Sequence, residues 1–552
     1  MTTTYAQRLP ETPDLLGAFP RLSDEQIVTL GEHGMHRSVA IDEVLIQEGE
    51  PCDEFFVILR GRVAVIEDFG GEPRIVRVHG RRRFLGEIGL LKGEAAFVTS
   101  VTCEAGEVLS IPLENLPAAT AHDPVLSDLI LRAYLVRRSL LVGAGAGFRI
   151  IGSSYSPDSR RLREFAARNR LPFRWIDLEK DQQAETLLNR LGIEPSDTPV
   201  VIWAGHQVLR NPSNAELAKL VGLDTVDSPR TTCDLAIVGA GPAGLAAAVY
   251  AASDGLRTVV VDAIAAGGQA STSPRIENYL GFPAGVSGSE LADRAVVQAR
   301  KFGAQLRVPA QATGLTHIDG RYVVRLENGS ALTSRAVLIA TGVRYRRLDV
   351  AGIERFEGTC VHYAATQHEA RVCGPEPVAV VGGGNSAGQA ALFLADHVPR
   401  VYLVSRDELS QDMSRYVIAQ IEANPRIQVL PHCEVRELAG NTALRSVLVQ
   451  DTLDEQYIQL DVGNLFVFIG AEPHTSWLAG TIELDDRGYV LAGRDLPDTS
   501  ASRAPPGLET SCRGVFVAGD VRAGSVKRVA AAVGEGAMAV RLVFDHLIGR
   551  SD

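Results

Sequence analysis

The chain has 552 residues, of which 45% are hydrophobic and 22% charged, and it carries a formal net charge of -12. This length predicts roughly three to four domains, and the acidic balance argues against a nucleic-acid polymer or an anionic membrane as partner. The longest apolar stretch, near residues 129–142, is interrupted by arginines, and no secretory pattern opens the chain, so we expect a cytoplasmic protein.

The first segment, residues 13–145, has the pattern of an all-β domain. Between turns such as Arg60-Gly61 lie short runs of β-branched and aromatic residues at 44–46, 55–59, 62–65 and 75–78. A helix predicted over residues 123–141 closes the segment. The stretches 48–58 and 84–91 resemble the cyclic-nucleotide-binding domain, which is a jelly-roll barrel with flanking helices.

That resemblance places a phosphate-binding cassette at residues 84–91. Gly86 and Glu87 match the family's contacts to the cyclic phosphate and the ribose, but its proline and arginine fall on Ala95 and Ala96. Because a guanidinium–phosphate pair is a strong contact, we expect weak cyclic-nucleotide binding or none. Arg81 to Arg83 are the nearest alternative cations, and a structural or docking barrel is the alternative to a sensor.

The second segment, residues 146–225, alternates predicted strands and helices and resembles a thioredoxin/glutaredoxin-like fold. Thr198-Pro199 falls where that family has a cis-proline, and we predict a cis bond there. The positions of the family dithiol read Ser156-Pro157-Asp158-Ser159. Serine cannot form a disulfide, so we expect a structural or docking role here rather than redox transfer.

Two glycine-rich fingerprints follow, each directly after an apolar run. The first contains Gly239, Gly241 and Gly244, and the second contains Gly382 and Gly384. In each, a strand feeds a tight turn whose backbone can approach a pyrophosphate at a helix N-terminus. Two nucleotides bound side by side predict hydride transfer between them.

The residues at the tips of the following strands differ between the two fingerprints. Asp262 lies about twenty residues after the first one, where an acceptor for a ribose hydroxyl is expected. Arg406 lies at the corresponding tip after the second and favours the 2′-phosphate of NADPH, although NADH stays possible beside Ser405 and Asp407.

From residue 231 onward the chain resembles the low-molecular-weight thioredoxin reductases and their flavin-reductase relatives. Beyond the fingerprints, the matching stretches are 267–269, 277–283, 338–342, 514–520 and 527–530. The resemblance implies a homodimer in which residues 231–345 and 475–552 form an FAD domain. Residues 346–474 would form an inserted NAD(P)H domain. We therefore expect a multi-domain fold: a β-barrel, an α/β thioredoxin-like domain and an α/β flavoprotein with two dinucleotide-binding domains.

The resemblance also implies the cofactor-binding residues. For FAD they are Gly239, Gly241, Gly244, Asp262, Gly268, Gln269, Asn278, Thr341, Gly342, Gly519, Asp520, Arg528, Val529 and Ala530. For the nicotinamide nucleotide they are Gly382, Gly384, Asn385, Ser386, Ala387 and Arg406.

One departure from the family decides the chemistry. Thioredoxin reductases carry a Cys-Ala-Thr-Cys dithiol before the second fingerprint, but here its cysteine positions are Ala364 and Gln367, and His368 replaces the following acid. Cys360 and Cys373 lie nearby but out of register. His362, Tyr363 and His368 are candidates to line the emptied pocket, with simple packing as the alternative.

We therefore predict an FAD-dependent NAD(P)H oxidoreductase without a catalytic dithiol and without a metal. It would pass electrons from the flavin directly to a small molecule or a redox protein. One alternative is a redox or ligand sensor, or a scaffold, with little turnover. A second is a thioredoxin-disulfide reductase that uses thiols outside the family positions.

Overall fold

The structure is a computed structural model. It describes residues 6–69, 72–86, 95–144, 147–181, 188, 192–204, 207–223, 230–273, 275–276, 278–350, 353–356, 359–363, 365, 369–370, 373–409, 413–441, 443–478, 480–497 and 507–549. The chain divides into two compact units, Met1–Asp227 with Arg307–Pro309, and Ser228–Leu306 with Ala310–Asp552.

The first unit opens with a barrel of antiparallel strands. Its elements are α1 (Asp24–Gly31), β1 (Met35–Val39), β2 (Val44–Ile46), β3 (Glu54–Phe69), β4 (Glu72–His79), β5 (Phe84–Leu85), β6 (Thr99–Pro112), α2 (Leu116–Thr120) and α3 (Pro124–Ala144). The strand order is β1-β6-β3-β4, with β2 paired to β6 and β5 to β3. Side chains alternate along β3, so Phe56 and Ile58 pack inside the barrel while Phe55 and Val57 pack against the helices.

The turn predicted at Arg60-Gly61 is wrong. Strand β3 runs through both residues, and its register with β6 shifts there. Gly61 has a φ of +88°, and a Cβ on it would lie 2.5 Å from the carbonyl oxygen of Glu104. This glycine therefore bends a continuous strand at a bulge instead of ending it.

The first unit continues with a four-stranded sheet. Its elements are β7 (Phe148–Gly152), α4 (Pro157–Arg168), β8 (Phe173–Asp177), β9 (Val200–Trp203), β10 (Gln207–Arg210) and α5 (Asn214–Leu220). The order is β10-β9-β7-β8, with β7 and β8 parallel. The predicted sheet and the cis Thr198-Pro199 bond are both confirmed.

The barrel contributes side chains to the core of this second sheet. Phe97 stacks on Trp203 with ring centroids 5.8 Å apart. Ala95 belongs to the same buried cluster, together with Phe148 and Val221, and its amide donates to the Val221 carbonyl at 3.3 Å. The barrel and the thioredoxin-like segment therefore share one hydrophobic core.

The second unit contains two sheets rich in parallel strands. Its strands are β11 (Arg230–Val238), β12 (Thr258–Val261), β13 (Gln305–Arg307), β14 (Ala312–Ile318), β15 (Arg321–Leu326), β16 (Ala331–Ile339), β17 (Val343–Tyr345), β18 (Val361–His362), β19 (Val378–Val381), β20 (Val401–Val404), β21 (Ile427–Leu430), β22 (Cys433–Gly440), β23 (Leu444–Asp451), β24 (Tyr457–Leu460), β25 (Asn464–Val467), β26 (Ala471–Pro473) and β27 (Val515–Val517). Its helices are α6 (Pro242–Ser253), α7 (Gly288–Lys301), α8 (Asn385–Ala395), α9 (Arg415–Glu422) and α10 (Val529–Ile548).

The strand order brings distant segments to common sheet edges. One sheet has the order β13-β12-β11-β16-β15-β14 with β27 on β16, and the other has the order β18-β25-β19-β20-β21. Parallel strands end at the same edge, so the loops after β11, β12, β16 and β27 meet there. An antiparallel ribbon of β17 and β26 forms both connections between the sheets. In the part of the chain that the structure describes, no helix is long and apolar enough to cross a membrane.

The shared core of the first unit makes a testable prediction. Phe97 is 1% exposed, and truncating a buried aromatic residue typically costs about 3–5 kcal/mol. We expect Phe97→Ala to lower the unfolding free energy of this unit by that amount, in urea unfolding followed by circular dichroism and tryptophan fluorescence. Val125→Ala is the control, because Val125 is 69% exposed on α3. A loss below about 1 kcal/mol would contradict the shared core.

Candidate dinucleotide-binding sites

The first glycine turn, between β11 and α6, presses directly on a neighbouring strand end. Gly239 has a φ of +109°, and a Cβ on it would lie 2.1 Å from the carbonyl oxygen of Ala340. A Cβ on Gly244 would lie 1.9 Å from the carbonyl oxygen of Gly239. Because those neighbours are backbone atoms that cannot move aside, only glycine fits at either position.

The N-terminus of α6 faces open space. Gly241 caps the helix without a side-chain hydrogen bond, and a Cβ on it would meet nothing nearer than the Cα of Gly268, 3.9 Å away. The amides of the first turn and the positive end of the helix dipole are therefore available to an anion. These residues fit the pyrophosphate of FAD.

Asp262 has a structural role that the sequence did not reveal. Its carboxylate accepts hydrogen bonds from the amides of Ala240 at 2.8 Å, Ile264 at 3.0 Å and Ala265 at 3.1 Å. A carboxylate offers roughly four acceptor positions, so one remains for the predicted ribose hydroxyl. Asp262 therefore stabilises the turn that leads to Gly268, and it does so whether or not a nucleotide is bound.

Thr341 and Gly342 are tied to a residue that the sequence analysis did not single out. The Thr341 hydroxyl donates to the carbonyl oxygen of His474 at 2.9 Å, although the two residues are 133 positions apart in sequence. The His474 amide in turn donates to the carbonyl oxygen of Gly342 at 3.3 Å. Burial lowers the pKa of His474, so its ring is neutral at pH 7. Of the other predicted flavin neighbours, Gln269 is half-buried and Asn278 is exposed.

The last part of the candidate FAD site is a turn braced by an ion pair. The amide of Gly519 donates to Glu535 at 2.8 Å, and Glu535 pairs with Arg522 at 2.6 Å. Burial raises the pKa of the neighbouring Asp520 carboxyl. No local motif signals this bracing, because Glu535 lies a full helix turn beyond the matched stretch.

Helix α10 begins beside this turn. Arg528 is its N-cap residue and makes no side-chain cap, so the amides of Val529 and Ala530 stay available to an acceptor. Lys527 donates to the carbonyl of Asp520. The helix dipole and this ammonium group give the edge of the site a positive potential.

The second glycine turn repeats the geometry of the first. Gly382 has a φ of +145°, and a Cβ on it would lie 2.3 Å from the carbonyl oxygen of Phe468. Gly384 caps α8, and a Cβ on it would meet nothing within 4 Å. The helix then begins with the predicted residues Asn385, Ser386 and Ala387. This site fits a second dinucleotide pyrophosphate.

Arg406 lies at the tip of β20, on the same edge of the sheet, and is exposed. The preceding Ser405 is buried, and its hydroxyl donates to the carbonyl of Asp407 at 2.7 Å. A Cβ on Gly383 would lie 2.8 Å from that hydroxyl oxygen. The strand tip that carries Arg406 is therefore seated against the fingerprint turn.

Three positions of the family dithiol segment lie outside the described residues, namely Ala364, Gln367 and His368. Ala365, between them, is buried among residues of α8. His362 shares a hydrogen bond of 2.9 Å between its Nε2 and the Oδ1 of Asn464, and its ring lies 5.0 Å from that of Phe466. The packing interpretation therefore accounts for His362.

Cys360 and Cys373 belong to different hydrophobic clusters. Cys360 packs with the odd-numbered residues of β19 and Cys373 with the even-numbered ones. Both thiols are free and buried. Burial, with smaller effects of Glu369 and Cys360, raises the pKa of Cys373 to about 12, so its reactive thiolate is scarce at neutral pH.

The described residues around the cassette offer little positive charge to a cyclic phosphate. Gly86 has a φ of +90°, and a Cβ on it would lie 2.2 Å from the Glu54 carbonyl oxygen, so the tight turn that opens the cassette is built as predicted. Glu87 lies outside the described residues. Ala96 is 3% exposed, and its carbonyl accepts from the Gly49 amide at 2.8 Å.

Two of the alternative cations are committed elsewhere. Arg83 donates to the carbonyl of Thr12, and Arg82 forms an ion pair with Asp24. Of the three arginines, only Arg81 is exposed.

The dithiol positions of the thioredoxin-like sheet serve as a helix cap. The Ser156 hydroxyl accepts a hydrogen bond from the amide of Ser159 at 3.3 Å, and Ser159 is fully buried. Serine is a favoured N-cap residue. The structural role expected for this segment therefore has a direct geometric basis.

Comparisons with known proteins agree with this geometry. Residues 233–536 match the family model described as pyridine nucleotide-disulphide oxidoreductase, and residues 36–123 match the cyclic nucleotide-binding domain. The chain is 33% identical over 316 residues to a thioredoxin reductase of Mycolicibacterium smegmatis, covering 57% of this chain and 96% of that protein.

Two further relatives extend the comparison. The alkyl hydroperoxide reductase F protein of Pseudomonas putida is 35% identical over 331 residues, which cover 58% of this chain and 59% of that protein. The crystal structure of T. acidophilum thioredoxin reductase has a TM-score of 0.53 and 28% identity, over 57% of this chain and 99% of that one.

Substitutions at the two glycine turns should separate the two nucleotides. We expect Gly239→Ala to lose most bound FAD, because its Cβ would collide with the Ala340 backbone. Gly384→Ala should keep full FAD occupancy, because its Cβ enters open space at the other site. The measurement is the ratio of flavin to protein absorbance after purification. Equal FAD content in the two variants would contradict the assignment.

The barrel should bind cyclic nucleotide weakly or not at all. We expect calorimetric titration with cyclic AMP and with cyclic GMP to give no saturable heat up to millimolar ligand, because Ala96 offers no positive charge. Tight, saturable binding of either nucleotide would show that another cation replaces the missing arginine.

Proposed function

Because the chain belongs to the pyridine nucleotide-disulphide oxidoreductase family and is an FAD-dependent NAD(P)H oxidoreductase of the thioredoxin reductase and alkyl hydroperoxide reductase F type, we propose that it reduces its acceptor directly at the flavin, without an enzyme dithiol. The observation that carries the proposal is that Ala364 and Gln367 occupy the dithiol positions. The acceptor is a small molecule or a redox protein.

The cysteines of the NAD(P)H-binding segment support this proposal. A displaced dithiol would need two thiols within bonding distance and an accessible thiolate. Cys360 and Cys373 pack in different hydrophobic clusters, both are buried, and no disulfide joins them. The alternative of a thioredoxin-disulfide reductase with thiols outside the family positions is therefore disfavoured.

The protein's own groups would position the cofactors. FAD, when bound, supplies the two-electron exchange between NADPH and the acceptor. The amides of α6 would hold its pyrophosphate, and the positive end of α10 would lie where negative charge develops on reduction. The site residues inferred from the sequence remain proposals, with Asp262 acting mainly through the turn that it holds.

Several organisational features belong to the same proposal. We propose an FAD domain of residues 231–345 and 475–552, with residues 346–474 as the inserted NAD(P)H domain, and domains at 13–145 and 146–225. Strand β27 pairs with β16, which supports the split FAD domain. A homodimer is proposed on the family resemblance. None of the seven cysteines is in a disulfide, which supports a reducing compartment such as the cytoplasm.

One observation favours a sensor or scaffold as the second candidate. Ala95 and Phe97 follow the cassette directly and complete the core of the thioredoxin-like sheet. A ligand that shifts the cassette would therefore act on that core. Steady-state NADPH oxidation with a panel of quinones, free flavin and disulfide proteins separates the candidates. Fast turnover with one acceptor supports the enzyme, whereas reduction with negligible turnover supports the sensor.

The stoichiometry of reduction tests the absence of a dithiol. We expect anaerobic titration to consume one equivalent of NADPH per FAD, because no thiol pair stores a second pair of electrons. The measurement is the bleaching of the flavin absorbance band. A dithiol enzyme would consume two equivalents.

The matched control is the double variant Cys360→Ser, Cys373→Ser. It should give the same titration as the unaltered protein. Before unfolding, the two proteins should also release the same amount of product from Ellman's reagent at pH 8, because Cys360 and Cys373 are buried in the unaltered protein. Uptake of two equivalents that falls to one in the double variant would overturn the proposal.

A further inference from the structure

The ion pair between Arg522 and Glu535 is largely withdrawn from water. The two side chains are only 18% and 16% exposed. One carboxylate oxygen, Oε1, accepts from Arg522 Nη2 at 2.6 Å and from its Nε at 3.2 Å. The other oxygen, Oε2, accepts from the Gly519 amide at 2.8 Å. Charges that are partly buried are screened much less by salt than exposed ones, so each member of this pair acts on its surroundings.

The carboxylate of Glu535 is held at a junction of three backbone segments. A Cβ on Gly536, the next residue of α10, would lie 2.2 Å from the carbonyl oxygen of Ala243 in α6. A Cβ on Gly519 would lie 2.9 Å from the Cβ of the same alanine. Helix α10, the first fingerprint helix and the Gly519 turn therefore meet at Ala243. This packing fixes the place of the ion pair.

Both charges lie close to residues that are predicted to contact FAD. Glu535 follows Val529, the first residue of α10, by six positions, which is roughly 9 Å along a helix axis. Arg522 follows Asp520 by two positions, which limits their Cα separation to roughly 7 Å. Burial raises the pKa of the Asp520 carboxyl, Lys527 opposes the rise, and Glu535 adds to it. The charge of Glu535 therefore reaches the predicted FAD contacts.

We propose that Arg522 neutralises Glu535 beside the flavin, so that the carboxylate that positions the Gly519 turn does not oppose flavin reduction. Reduction adds negative charge to the flavin, which a nearby carboxylate disfavours and a nearby guanidinium favours. Together the two charges have little net effect on the equilibrium. Both are positioning residues that act through the turn and through their charges. The inference rests on the FAD-binding part of the proposed function and is independent of the acceptor.

A purely structural brace makes a different prediction. If the pair only held the Gly519 turn in place, removing either side chain would disturb the same contacts. Both substitutions would then weaken FAD binding, and any change in the ease of flavin reduction would have the same direction. A role of the charges requires changes of opposite direction, because the two side chains carry opposite charges.

The equilibrium between the bound flavin and a redox dye of known potential tests the inference. Glu535→Gln keeps an acceptor for the Gly519 amide and leaves Arg522 uncompensated. We expect it to raise the equilibrium constant for two-electron reduction by about tenfold, which corresponds to about 30 mV. Arg522→Met should lower this constant by about tenfold. The double variant should stay within about threefold of the unaltered protein, because its net charge is the same.

The matched control is an exposed ion pair on the same helix. Arg541 pairs with Asp545 at 3.3 Å, and the two side chains are 80% and 54% exposed. Arg541→Met should change the constant by less than about twofold, because water screens this pair. Arg522→Gln, which can still donate to Glu535, repeats the charge removal with less disturbance of the turn. All proteins are measured without oxygen, at pH 8 to keep Glu535 ionised, and with FAD in excess.

The outcomes separate this inference from its premise. Opposite changes in the two single variants that compensate in the double variant support the role of the charges. Changes in the same direction, or changes no larger than that of Arg541→Met, would show that the pair is only a brace, while the proposed function stands. If the unaltered protein binds no FAD, the proposed function fails together with the inference.

Discussion

Contact of backbone against backbone at two glycine turns is the constraint on which the second unit depends. A Cβ on Gly239 would lie 2.1 Å from the carbonyl oxygen of Ala340, and one on Gly382 would lie 2.3 Å from that of Phe468. In both cases the carbonyl belongs to the residue just past the end of the neighbouring parallel strand. This contact sets where α6 and α8 begin, and so where their amides can meet a phosphate. The loops that follow take their positions from these two helices.

The second unit has the backbone geometry for two dinucleotides, whereas the positions of the family dithiol read Ala364 and Gln367. The β17–β26 ribbon carries the chain into and out of the second sheet, and the bonds between Thr341, Gly342 and His474 fasten its FAD end. In a dithiol enzyme the second sheet must bring two different groups to the flavin in turn. Under the proposed function, the second sheet has only the nicotinamide to bring to the flavin.

The sequence predicted those features whose signals are local. Both fingerprints, the cis Thr198-Pro199 bond and the strands of the thioredoxin-like segment follow from short patterns, and all are present. The sequence did not predict contacts between distant segments, nor positions where one residue type has two structural uses. Gly61 has the pattern of a turn but lies in a bulge of β3. The bracing of Gly519 by Glu535 and the bond from Ser414 to Asn385 join positions that no periodic pattern connects.

The stacking of Phe97 on Trp203 has a consequence for how the chain is made. Residues leave the ribosome in order, at about 5–20 per second, so Phe97 emerges well before the strand that covers it. Until β9 has been synthesised, the barrel exposes this aromatic ring, and until Val221 follows, the Ala95 amide lacks the carbonyl to which it later donates. The N-terminal barrel is therefore completed only by residues that are synthesised after it. If synthesis stops between Phe97 and Trp203, an apolar surface stays exposed for chaperones to cover.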